Sequence, residues 1–88
     1  MKLRDDFVLR QVAATWVVLP LSRETVDFNG MIRLNDTGAL LWQRLEQGSD
    51  REGLIRELTS RYAVSETQAG EDVDAFLNVL RNAGCIEE

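Results

Sequence analysis

Residues 28–45, FNGMIRLNDTGALLWQRL, change character in the middle. Up to Leu34, apolar and β-prone residues surround Asn29-Gly30. That pair tolerates the positive φ angles of a tight turn and is the strongest short-range hairpin signal. From Asn35 onward the pattern is helical, with a capping residue followed by Leu41, Trp42 and Leu45. Nothing in the stretch resembles a catalytic constellation. It predicts a short, edge-like strand running straight into helices.

Upstream, FVLRQV (7–12) and TWVVLP (15–20) are rich in Val, Leu and aromatic residues, and Ala13-Ala14 between them predicts a hairpin bend. Pro20, the only proline, ends the second of these strands because it has no N–H for a ladder. TVDF and MIRL flank Asn29-Gly30 as a further hairpin. Downstream, Asn35 or Asp36 caps a helix that reaches about Gln47 and stops at Gly48. Asp50 caps a second, with Leu54, Ile55, Leu58 and Tyr62 on one face. Ser65 opens a third, in which Gln68 completes a capping box, and Gly84 ends it after Ala83. About three strands followed by three helices give an α+β domain spanning residues 1–88.

The third helix carries more apolar surface than one core stripe needs. Ala69, Val73, Phe76, Leu77 and Leu80 form a stripe that faces the core, with Glu71, Asp74, Asn78 and Asn82 opposite. On one shoulder sit Asp72, Val79 and Ala83, with Phe76 at the stripe's edge. Val79 has two readings: it broadens the packed stripe, or it lines a groove.

Composition excludes several classes of function. At 44% hydrophobic and 28% charged, the 88-residue chain is neither disordered nor membranous. Its longest apolar run, Trp16–Leu19, falls far short of the roughly 20 residues of a membrane span. MKLRDDF lacks the apolar core of a secretory signal, and a cytoplasmic location is expected. One cysteine and no histidine argue against a disulfide, a zinc or haem site, or an activated thiol nucleophile. Cys85 reads as a small hydrophobe sealing the last helical turn. The six glycines form neither GxGxxG nor GxxxxGK, so no phosphate loop is present. No cofactor, metal or enzymatic activity is expected. Residues 1–49 balance six basic against six acidic side chains, whereas residues 50–88 hold four against nine. The net charge of −5 therefore resides in the second half, which repels phosphate backbones and argues against nucleic acid.

VDFNGMIRLNDTGALLWQRL followed by DREGLIRELTSRYAVSETQAGEDVDAFLNVLRNAG resembles the PqqD-like family, stand-alone recognition elements for ribosomally made, modified peptides. The likeness spans roughly residues 5–87. Its pieces are a strand running into LN, then TG and an apolar helix with Trp, a Gly-containing turn, a helix ending in Tyr, a VS connector and EDVDAFLNVLRNAG. The resemblance implies a winged-helix-like fold and a non-catalytic adaptor. Such a protein binds the leader of a precursor peptide and presents it to a maturation enzyme, such as a radical SAM protein or a leader protease and cyclase system. It further implies that the leader adds as a strand to Met31, Ile32, Arg33 and Leu34, in a cleft walled by Asp72, Phe76, Val79 and Ala83. Cys85 departs from the larger aliphatic residue often found there, and PLSRETVD does not specify the enzyme. Monomer and weak homodimer are both compatible. The competing readings are a DNA-binding winged helix and a dimerisation domain. The first needs a basic recognition helix, but from Ser65 onward six acidic residues face one basic residue, Arg81.

Overall fold

The computed structural model describes residues 2–21 and 32–87. Its elements, in chain order, are β1 (Lys2–Leu3), β2 (Phe7–Val12), β3 (Thr15–Pro20), β4 (Ile32–Leu34), α1 (Asp36–Glu46), α2 (Arg51–Arg61), α3 (Glu66–Asn82) and β5 (Ile86–Glu87). The expected Asn29-Gly30 turn, the TVDF strand and Met31 lie outside the described residues.

β2 and β3 form the hairpin expected from sequence, paired from Val12 opposite Thr15 to Phe7 opposite Pro20. Ala13 opens the two-residue turn at φ 56°, a left-handed conformation usually left to glycine. The Leu21 amide donates to the Asp6 carbonyl at 2.8 Å, which sets the phase of the ladder. Hydrogen-bonded and non-bonded pairs alternate along an antiparallel ladder. Val8, Arg10 and Val12 therefore bond to β3, while Trp16, Val18 and Pro20 turn their backbone groups the other way. Pro20, lacking an N–H, removes nothing from the β2–β3 ladder.

β4 continues the antiparallel sheet in the order β2-β3-β4, with Trp16 opposite Leu34, Val17 opposite Arg33 and Val18 opposite Ile32. The same alternation joins Ile32 and Leu34 to β3 and aims the N–H and C=O of Arg33 outward. Among the described residues no strand lies on that outer side.

Each helix begins at its expected cap. The side chains of Asn35 and Asp50 accept from the Gly38 and Gly53 amides, both at 2.8 Å, and Ser65 accepts from the Gln68 amide at 3.1 Å. The capping box is only half formed, because the Gln68 amide group donates forward to Asp72 Oδ1 at 2.9 Å. Gly84, at φ 76°, ends α3 in a Schellman arrangement. The Cys85 amide reaches back to the Leu80 carbonyl and that of Gly84 to Arg81. Cys85 and Leu80 are both fully buried in the same cluster.

The core gathers one face of each helix against the sheet. Trp42, Leu45, Leu58, Phe76 and Leu80 are all buried, as are Ala69, Val73 and Leu77. Tyr62 departs from expectation. It leaves the helix with extended backbone (φ −127°), no longer follows the helical step, and remains exposed. Arg51 ties the start of α2 to α3 through a two-pronged ion pair with Asp74, at 2.7 and 3.1 Å. An element absent from the sequence reading closes the molecule. β1 pairs antiparallel with β5, Lys2 opposite Glu87 and Leu3 opposite Ile86.

Candidate functional site

Along β4 the side chains alternate, as a strand requires. Ile32 and Leu34 are half-buried toward the core, and Arg33 is exposed on the other face. The chain enters α1 at once, and Gly38 permits a close approach to β4. A Cβ at that position would stand 3.3 Å from both Leu34 Cβ and Asn35 Oδ1. From the other side, α3 turns its shoulder toward this junction.

Between them lies a cleft of about 400 Å³, lined by Arg33, Leu34, Asn35, Thr37, Gly38, Leu41, Asp72, Ala75, Phe76 and Val79. Of the residues expected here, the structure brings together Arg33, Leu34, Asp72, Phe76 and Val79. Ile32 and Ala83 stand outside the lining and pack against the core, and Met31 is outside the described residues. Val79 is 47% exposed, whereas Phe76 is buried to 9% and supplies the cleft floor. The Val79 ambiguity is thereby resolved: it faces a groove.

The α1 contribution escaped the sequence reading. Leu41 and Gly38 were legible only as core and capping positions of their own helix. Ala75 was recoverable, because 72, 75, 76 and 79 share one side of α3 at helical spacing.

The electrostatics are modest. Asp72 sits on the α3 rim and accepts from Gln68. Among the described residues, no group of three or more His, Cys, Asp or Glu could hold a metal ion, and no helix is long and apolar enough to cross a membrane. Cys85 is buried far from a nucleophile's requirements. Burial, assisted by Asp6 and opposed by Arg4, pushes its thiol up to about 11. A second cleft, of about 460 Å³, lies between β1 and the end of α1, with Lys2, Arg4, Asp5 and Glu46 among its lining. The smaller cleft is the stronger candidate, because it combines outward backbone groups with exposed apolar surface.

Comparison with known proteins places this geometry. Residues 15–86 match the family described as PqqD, coenzyme PQQ synthesis protein D. The chain belongs to the PqqD family. No curated protein matches the sequence. Two solved structures are similar over nearly the whole chain. One is TbiB1 in complex with the TbiA(beta) leader peptide, at 25% identity and a TM-score of 0.81, covering 99% of this chain and 95% of that one. The other is lasso peptide synthetase B1 complexed with the leader peptide, at 31% identity and a TM-score of 0.79, covering 99% and 96%. This member of the PqqD family thus shares its fold with two proteins whose structures hold leader peptides.

Proposed function

We propose that this protein is a non-catalytic adaptor that binds the leader of a ribosomally synthesised precursor peptide and presents it to a modifying enzyme. The leader adds as an extended strand to the β4 edge at Ile32, Arg33 and Leu34, against the α3 wall of Asp72, Phe76 and Val79. The observation that carries this reading is a strand edge left open among the described residues, beside an exposed apolar cleft, on a fold shared with two leader-bound proteins. Unpaired backbone groups normally invite aggregation. In β-augmentation they supply affinity, and neighbouring pockets supply specificity.

The enzyme served is of the radical SAM or leader protease and cyclase type. Nucleic acid is not a partner, because α3 is acidic where a recognition helix must be basic. The deciding test is an NMR titration with a synthetic leader from a precursor encoded beside this protein. Amides of residues 32–34 and 72–83 should shift together while residues 51–61 stay nearly unmoved. Shifts concentrated in α2 would exclude the cleft. A gel-shift assay at moderate salt should show no DNA complex.

A further inference from the structure

The phase of the β-ladder says which residue of an added strand meets which face. Arg33 alone among the described β4 residues directs both its N–H and its C=O outward, so it bonds the incoming chain directly. The ligand residue opposite Arg33 shares its face of the sheet, whether the strand adds parallel or antiparallel. Its two neighbours point to the opposite face, where Leu34, Phe76 and Val79 provide apolar surface. Arg33 is exposed and makes no ion pair among the described residues. Arg10 lies in the same cross-strand row, since Val17 is opposite both Arg10 and Arg33. The buried Val17 separates the two arginines, and Arg33 is the cation next to the position the new strand completes. Asp72 stands on the cleft side instead, where an acidic inward residue would be repelled.

We infer that this protein selects an extended peptide with an acidic residue between two apolar ones, the acidic side chain lying beside Arg33 on the face of the sheet that Arg33 shares. The inference rests on the peptide-binding reading and deepens it, because it assigns Arg33 a specificity role that lining the cleft does not imply. Opposite charges directly across a sheet attract modestly, and like charges repel. The expected discrimination is therefore graded.

The test uses the intact chain and random nine-residue peptides displayed for selection, followed by anisotropy measurements on one enriched peptide carrying Glu, Ala or Lys at the central position. Selection should enrich an acidic residue flanked by apolar ones. The Glu peptide should bind about two- to fivefold tighter than the Ala peptide, and the Lys peptide weaker than both. Arg33→Glu should reverse that order and Arg33→Ala should level it, with circular dichroism unchanged. Arg10→Glu, two strands further away, should alter the ratios far less. Peptides that bind with no dependence on central charge, or an order that survives Arg33→Glu, would overturn the inference while leaving peptide binding intact. If the parent chain retains no peptide, the binding reading itself falls and takes this inference with it.

Discussion

Val79 and Leu80 are chain neighbours with opposite surroundings, one 47% exposed and the other fully buried. Leu80→Ala should cost about 2–5 kcal/mol, from lost transfer energy plus the cavity left behind. That is much of what a small domain has, so the denaturant midpoint should fall sharply. Val79→Ala should change the midpoint little. Val79→Asp should stay folded yet weaken leader binding about tenfold or more, by placing an unpaired charge against an apolar ligand surface. At the β2–β3 turn, Ala13→Gly should be neutral or stabilising by up to about 1 kcal/mol. It relieves a left-handed alanine at the expense of a more flexible unfolded chain. Cys85 adds a pH dependence. Its thiol is held at about 11 in the folded protein, above the ordinary 9.0, so the folded state keeps a proton that the unfolded state releases first. The stabilisation is complete below about 9 and is lost as the pH rises through 11, amounting to roughly 2–3 kcal/mol. Cys85→Ala should flatten that part of an alkaline unfolding profile.

At the scale of elements, legibility followed the strength of local chemistry. β2 and β3 were readable to the residue because β-branched and aromatic runs end at Ala13-Ala14 and at Pro20. The three helices were readable from their caps, since Asn35, Asp50 and Ser65 each have a hydrogen-bonding job that other residue types do poorly. The second half of the capping box was not, because Gln68 had two partners in reach and the sequence does not say that Asp72 wins. Tyr62 misled because periodicity continues on paper after the backbone has left the helix. The β1–β5 ribbon was invisible: two-residue strands have no periodicity, and their pairing is a tertiary event. The cleft was half legible for a similar reason, its α3 side following from helical spacing and its α1 side from a close approach at Gly38. Ladder phase gives the element-scale prediction. Arg33→Pro should keep its circular dichroism spectrum and lose leader binding, because only an outward donor is removed. Ile32→Pro should instead destabilise the sheet by deleting a β3–β4 bond. Full binding by a folded Arg33→Pro variant would rule out strand addition centred there.

Over the whole molecule, charge and binding are largely separate. The excess acidity belongs to the second half of the chain, where Asp74 and Glu57 are tied into helix-to-helix pairs. Arg51 holds the Asp74 carboxyl below its ordinary range, chiefly by hydrogen bonding. Arg61 from within α2, then Arg44 from α1, does the same for Glu57. Because both carboxyls are depressed, their contribution is present above the usual carboxylate range and is lost as the pH falls toward the folded values. Asp74→Asn and Glu57→Gln should therefore lessen the stability lost on acidification, as read by unfolding curves at pH 7 and pH 3. Leader affinity should respond more to Val79→Asp than to raising salt from 50 to about 300 mM, since the apolar cleft is unscreened and the rim charges are exposed.

The β1–β5 ribbon gives the molecule a clock. Pairing Lys2 with Glu87 closes a longer loop than any other strand pair described here, and such contacts are costly in chain entropy and late to form. The only sulfhydryl sits at its root, where the Cys85 carbonyl accepts from the Arg4 amide at 2.8 Å. Cys85 is fully buried beside that ribbon, so a thiol-reactive dye should reach its sulfur when the ribbon lets go. Labelling at rising dye concentration should therefore plateau at the frequency with which the ends of the fold separate. That frequency should be indifferent to a peptide held at β4 unless the two ends of the molecule open as one unit.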